Sequence, residues 1–380
     1  MQFKDIVGHQ YLKDHLINTV RDNRVSHAQL FLGPTGSASL AMALAYAQYI
    51  NCEDKQIDDS CGTCASCRKY NKIIHPDLHF SYPFIASKKD ETATDYIDKW
   101  REMVTQHPYF DLELWRNTLD VENKQVNINI AEAHSIIKKL SLKAFEAEYK
   151  VLIMWLPEYL DTQGNALLKL IEEPPAKTLF LLVAENQDKI LNTIISRTQL
   201  VKINKYSNQE VSDYLVQKFN IDQSKATEIS FIADGNMQEA INLVESSHND
   251  NFELLVDWLR HIATDNGIGF MNDVDDTLSK LGRENQKTFL MYAINIFRQI
   301  IFMKENLSDW VHLPAQEKDF VGKFAQHYSL QQIEACINLL EKTHYSVERN
   351  ANPKILFLDL SLQLVLIFKY KSFPKETQYI

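Results

Sequence analysis

Short apolar runs alternate with helical spacing along the first half of the chain. Gln29–Leu32, Asp77–Tyr82, Val151–Leu156 and Thr178–Ala184 read as buried strands. His9–Asp22 and Leu40–Ile50 repeat their apolar positions at helical spacing. Regular alternation of the two patterns predicts a parallel sheet covered by helices, an α/β domain reaching to about Leu200. Between Pro83 and Val126 the pattern loosens into charged, aromatic sequence, KKDETATDYIDKW and then HPYFDLELW. That stretch is too long for an ordinary connection and reads as an insertion with its own short helix. Its aromatics fit two readings, a partner surface or local packing, and packing is the simpler.

Beyond about Asn204 no strand pattern recurs. Ser207–Phe219, Gln223–Ala233 and Met237–Glu245 form three short helical segments separated by Asn220-Ile221-Asp222 and Gly235-Asn236. Ser246–Asn251 (SSHNDN) reads as a linker, and five or so longer amphipathic helices follow to the C-terminus. Ile355–Phe368 is the longest apolar stretch, but Asp359, Ser361 and Gln363 interrupt it. It falls short of the ~20 residues of a spanning helix and reads as a buried helix rather than an anchor. Neither an internal repeat nor a low-complexity tract is present.

With 380 residues, the chain exceeds the ~250–300 at which single cores stop growing, so two or three domains are expected. A formal net charge of -10 disfavours a general affinity for nucleic-acid phosphates, leaving local contacts only, and fits an acidic protein-binding subunit. The opening residues MQFKDIVGHQ carry Lys4 and Asp5 and lack the apolar core of a secretion signal, so a cytoplasmic location is expected.

Three clusters bear on chemistry. GPTGSASL, Gly33–Leu40, has the shape of a phosphate-binding loop placed between a strand and a helix start. In the G-x-x-x-x-G-K-[ST] template backbone amides wrap the phosphates, Lys neutralises them and the hydroxyl holds magnesium. Gly33 and Gly36 remain in the loop, but Ala38 stands for the second template Gly, Ser39 for Lys and Leu40 for the hydroxyl residue. Magnesium-dependent hydrolysis at this loop is therefore not expected. A plain Gly-Pro turn is the simpler reading of those eight residues alone. Cys52, Cys61, Cys64 and Cys67 are spaced to close a tetrahedral thiolate shell around one structural zinc, the alternative being metal-free thiols; Cys336 sits in a helical pattern as a core thiol. His75-Pro76-Asp77 reads as a strand start and Glu172-Glu173 as a helix end stopped by Pro174-Pro175, rather than as metal or catalytic groups.

FKDIVGHQ at Phe3–Gln10, HAQLFLGP at His27–Pro34, the four-cysteine module, NALLKLIEEPP at Asn165–Pro175 and Ser196-Arg197 together resemble the bacterial sliding-clamp loader family, firmly over residues 1–205. The resemblance implies an AAA+ P-loop NTPase-like domain over 1–204, with the zinc module at 52–67 and the insertion at 83–126. An α-helical lid over 205–247 and an α-helical collar over 252–380 would follow. Motor subunits of that family hydrolyse ATP. Where they place an acidic pair at a strand end this chain has Met154 and Trp155, and where they place a nucleotide-sensing Arg in the lid it has Gln238. Glu158 and Asp161 lie past Pro157, poorly placed to replace the strand-end acids.

Arg197, by contrast, remains, with Thr198 where the family has Cys. The resemblance implies that Arg197, beside Ser196, reaches into a neighbouring subunit's ATP site. The pattern resembles the non-hydrolysing delta-prime class, with motor ATPase subunits, a clamp-opening delta subunit, the sliding clamp and, through the assembly, primed DNA as partners. The other reading of Arg197 is a surface salt-bridge residue. Two further functions compete: a divergent ATPase subunit that still hydrolyses ATP, and a zinc-dependent nucleic-acid-binding module.

Overall fold

The computed structural model describes residues 1–86, 88, 90–119, 125–245, 248–305, 307, 310–311, 313, 315–349 and 351–371. The chain divides into two compact units, Met1–Glu210 with Gly235–Glu239, and Val211–Asp234 with Ala240–Ile380.

The first unit is built on a five-stranded sheet of β1 (Ala28–Leu32), β2 (Leu78–Ser81), β3 (Lys150–Trp155), β4 (Thr178–Ala184) and β5 (Gln199–Lys202), in the order β2-β3-β4-β1-β5. Every pairing is parallel, with Leu30 opposite Leu182 and Leu152 opposite Phe180. The central strands β3 and β4 are buried along their whole length, as continuous apolar runs in a parallel sheet require. β5 was not expected; in QLVK only Val201 is buried, so this edge strand leaves no apolar run to read. Helices α1 (Gln10–Arg21), α2 (Ser39–Ile50), α3 (Ala65–Asn71), α4 (Ile97–Gln106), α5 (Leu112–Thr118), α6 (Ile130–Ser141), α7 (Leu168–Glu172) and α8 (Asn192–Ile195) belong to this unit. α2 is apolar all round and buried at every residue, the signature of a helix enclosed by its surroundings.

Among its described residues the insertion holds two α-helices, α4 and α5, where one was expected. Its ends are drawn together by an antiparallel bridge in which Phe84 and Asn127 exchange backbone hydrogen bonds of 3.0 and 3.1 Å. A fully buried carboxylate on α6, Glu132, accepts the Ala93 N–H at 2.9 Å and ties the start of the insertion to the sheet domain. Tyr82, at the end of β2, stacks on Trp100 of α4 at 4.0 Å, and Trp115 of α5 meets both edge-on. The Trp115 indole N–H donates to the Pro83 carbonyl at 2.7 Å. These aromatics are core, as the simpler reading had it.

The second unit is helical. Three short helices lead into it, α9 (Asn208–Phe219), α10 (Gln223–Ala233) and α11 (Met237–Glu245), with α9 and α11 each divided between the units. α12 (His248–Ala263), α13 (Gly267–Asn272), α14 (Arg283–Lys304), α15 (Ala315–His327), α16 (Leu330–Glu348) and α17 (Pro353–Tyr370) complete it. Of the expected linker, residues 246 and 247 lie outside the described residues, and the rest is already the first turn of α12. Two buried hydrogen bonds fix α17: Trp258 Nε1 donates to Ser361 Oγ at 3.0 Å and Gln332 Nε2 to the Ile367 carbonyl at 2.8 Å. The expectation of a wholly buried helix over Ile355–Phe368 is corrected: Ile355, Leu362 and Leu366 face outward and only the opposite face is core. Among the described residues no helix is long and apolar enough to cross a membrane.

Asp77 shows how one side chain organises distant backbone. Its carboxylate accepts the N–H groups of Phe145, Glu146 and Ala147 at 2.6, 2.8 and 2.8 Å, pinning the turn before β3. Burial works against the charged form, but these three donors prevail and hold the carboxyl below its usual range. A depressed folded pKa gives stability that is present above the unfolded value of about 4 and is lost as pH falls through the folded value. Asp77→Asn is therefore expected to cost about 1–3 kcal/mol at neutral pH. Denaturant melts at a series of pH values should show the gap from wild type closing below pH ~4.

Candidate functional site

The carboxyl ends of β1, β3 and β4 meet at one edge of the sheet, where open α/β folds bind ligands. Gly33 N donates to the Ala184 carbonyl at 3.1 Å and Leu156 N to the Val183 carbonyl at 2.8 Å, so the three strand ends are laced together. The loop from Gly33 turns into α2 at Ser39, in the strand–loop–helix setting the sequence predicted. Gly36 has a left-handed φ of 71°, and its carbonyl accepts the Met237 N–H at 3.1 Å. A Cβ on Gly36 would fall 1.8 Å from Asn236 Oδ1, so glycine is required there by packing against the 235–239 segment.

The chemistry of a triphosphate site is missing from this loop. Ser39, in the Lys position, is buried and its hydroxyl lies 2.8 Å from that of Ser37. Ala38 and Leu40 are buried apolar residues. At the end of β3, Met154 and Trp155 are 1 % and 3 % exposed and provide no oxygen ligand. Glu158 is committed elsewhere: its Oε1 accepts the N–H groups of Glu185 and Asn186 at 2.6 and 2.8 Å, capping the turn after β4. The side chain of Asp161 lies outside the described residues. Gln238, near the start of α11, is buried and neutral. No Lys or Arg lines the crevice among the described residues, and its one acidic group is Glu185.

Arg197 follows α8 and precedes β5. Its Nε donates to Glu172 Oε1 at 2.5 Å, its Nη2 pairs with the same oxygen, and its Nη1 donates to the Thr193 carbonyl at 2.7 Å and to Ser196 Oγ at 3.3 Å. The side chain remains about one-third exposed. Glu172 is the last residue of α7, as the Pro174-Pro175 stop predicts. That its carboxylate orients Arg197 escaped sequence reasoning, because both residues were read as parts of separate motifs.

The four cysteines converge. Cys52 follows the C-terminus of α2 and Cys64 caps α3, whose first turn supplies Cys67. Their sulfur atoms all lie within 4.8 Å of one another, and Cys61 Sγ is 3.9 Å from Cys67 Sγ. Zn–S bonds of about 2.3 Å at tetrahedral angles place sulfurs at nearly that separation. Backbone N–H groups of Cys61, Thr63, Cys64 and Cys67 point at sulfur at 3.3–3.4 Å, as suits thiolates. Burial opposes it, but the N–H groups of Cys64 and Thr63 bring the Cys61 thiol down to about 6. The donor set fits zinc, and a closed four-sulfur shell leaves no position for catalysis. The module also anchors the first residues: the Asp59 carboxylate accepts the N–H groups of Phe3 and Lys4 at 3.1 and 3.0 Å. Cys336 is a buried core thiol on α16, remote in sequence from this cluster. His75 is structural, its Nδ1 accepting the Asp77 N–H at 3.1 Å.

A parallel sheet in this order with a phosphate-loop remnant leading into α2 is the nucleotide-binding fold of the AAA+ class, here without its phosphate and metal ligands. The family model for the DNA polymerase III delta subunit matches residues 8–207, more than half of the chain. The protein therefore belongs to this bacterial clamp-loader family. It is similar to the DNA polymerase III subunit tau of Bacillus subtilis, 23% identical over 380 residues, covering 94% of this chain and 60% of that protein. It is also similar to subunit delta' of the same organism, 24% identical over 238 residues, covering 62% of this chain and 58% of the other. The chain thus spans about 60% of the length of those two relatives. A solved DNA polymerase III gamma-subunit-related protein from Thermotoga maritima aligns over 91% of this chain and 97% of its own at 14% identity and a TM-score of 0.37.

The cysteine cluster yields a direct prediction. Protein purified without added metal should contain close to one equivalent of zinc by mass spectrometry of the metal. Cys64→Ser should lose most of it and melt at lower temperature, whereas Cys336→Ser should keep it.

Proposed function

We propose that this chain is a non-hydrolysing, delta-prime-like subunit of the DNA polymerase III clamp loader, helping to load the sliding clamp onto primed DNA. One observation supports this reading above the rest: among the described residues the strand-end crevice has no Lys or Arg and only Glu185 as an acidic group, while Arg197 stands at the surface with its guanidinium held in place by Glu172. In this reading Arg197, with Ser196 beside it, completes the ATP site of a neighbouring motor subunit. A planar guanidinium suits that task because it spreads positive charge over the oxygens of the transferring phosphoryl group. The Glu172 carboxylate restricts the rotamers of a long side chain, so less freedom is lost when a phosphate arrives.

The same reading assigns the parts of the chain. Residues 1–204 form the AAA+ domain with its zinc module at 52–67, residues 205–247 a helical lid, and residues 252–380 a collar through which the ring assembles. Its partners are the motor ATPase subunits, the clamp-opening delta subunit, the sliding clamp and, through the assembled complex, primed DNA. Its place is the cytoplasm.

Two measurements test the proposal. The isolated chain should show no saturable ATP turnover above buffer after further purification; turnover that co-purifies with it would favour the divergent-ATPase reading instead. In a loader reconstituted with its motor and delta subunits, Arg197→Ala should assemble normally. It should slow turnover at the adjoining site by about a thousandfold or more, and Arg197→Lys should recover little because an ammonium lacks the planar fork. Unchanged turnover in an intact Arg197→Ala complex would remove Arg197 from that role.

A further inference from the structure

The crevice outside the strand ends is lined on one side by Gly33, Ser39 and Leu40 and on the other by Pro108, Tyr109 and Phe110 of the insertion. Its free volume is about 20 Å³, room for a single water molecule. Pockets that take drug-sized ligands run to about 300–1,000 Å³. Two aromatic side chains of the insertion, Tyr109 and Phe110, line the crevice. The Phe110 ring lies 4.8 Å from Trp155, the residue ending β3, and meets Trp100 edge-on at 5.4 Å. Tyr109 meets the ring of Tyr206 edge-on at 5.8 Å. Tyr206 in turn packs on His9 at 4.9 Å. Tyr109 and Phe110 are 3 % and 5 % exposed, although they sit in the short connection between α4 and α5.

From this we infer that Pro108–Phe110 is a built-in occupant of the nucleotide crevice, an intramolecular plug that excludes nucleotide from this chain. The plug spans the crevice from the phosphate-loop remnant, reached through Trp155 and Phe110, to His9, reached through Tyr109 and Tyr206. Its anchorage is the insertion core. Trp100 is fully buried and touches Phe110, Trp155, Trp115 and Tyr82 at once, so the plug is held by the same cluster that holds α4 and α5 to the sheet. In a rigid aromatic core a neighbour of this size does not move aside without disrupting several ring contacts. The exclusion is therefore steric as well as chemical. Restoring the lost loop residues alone would not restore binding, and this holds whether or not Arg197 acts on a neighbour.

A factorial substitution experiment on the full chain, read by calorimetric titration with ATP, tests the inference. The loop-restored variant Ala38→Gly, Ser39→Lys, Leu40→Thr with the plug intact should bind no more ATP than wild type. The same loop combined with Tyr109→Gly and Phe110→Gly should gain saturable binding, by at least a hundredfold. Binding by the loop-restored chain with its plug intact would overturn the inference. So would a folded combined variant that still fails to bind. If the combined variant does not fold, hydrogen exchange on the wild-type chain decides. Strong protection of the amides of Tyr109 and Phe110, of Gly33 and of residues 35–40, unaltered by ATP, is expected; rapid exchange at Tyr109 and Phe110, or slowing by ATP, would show a crevice open to nucleotide.

Discussion

Trp100 sits where the insertion and the sheet become one body. It stacks on Tyr82 at the end of β2 and makes ring contacts with Trp115, Phe110 and Trp155 without exposing any of its own surface. Aromatic pairs at these separations contribute about 0.5–1.5 kcal/mol each beyond the area they bury, and with Phe80 five converge on one indole. Everything proposed for the strand-end crevice depends on that cluster. It fixes α4 and α5, hence the path of the chain between them, hence the positions of Tyr109 and Phe110. A residue that in an ATPase would be acidic is here a tryptophan, Trp155, and it serves as the far wall against which the insertion closes.

The other fixed point of the first unit is polar. Asp77 holds the turn before β3, Asn51 holds Tyr149 and Tyr70 through its side-chain amide, and Asp59 holds the first residues against the cysteine module. Each is a short polar side chain satisfying several backbone groups that would otherwise be buried unpaired. The cysteine module is thus continuous with the sheet domain, packed between α2 and the residues before α1. Binding of a metal there would be linked to the folding of the whole unit.

Local features were legible in the sequence and distant ones were not. Strands β1 to β4 announce themselves as apolar runs, and the cysteine cluster by its spacing, because both signals lie within a few residues. β5 is silent, since Gln199, Leu200 and Lys202 are exposed and only Val201 is buried. The outward Leu362 and Leu366 were read as core because an unbroken apolar run does not say which of its faces is covered. The HPYF stretch at His107–Phe110 reads as a turn with two aromatics, and nothing local says that they reach across to Trp155 and Tyr206. The Glu172–Arg197 pair joins two motifs that were each understood separately, and only the packing of α7 beside α8 brings them together. In the loop itself the sequence told which ligands are gone; that the space is also filled is a property of the fold.

In the proposed role this chain holds no nucleotide while serving a neighbour that does. Photo-cross-linking of a base-azido ATP to the reconstituted loader, followed by mapping of the labelled peptides, addresses it directly. Label confined to the other subunits, with none on residues 1–50 or 100–110 of this chain, is the predicted result. Label on peptides containing Val7–His9 or Gly33–Leu40 at nucleotide concentrations that saturate the motor subunits would contradict it.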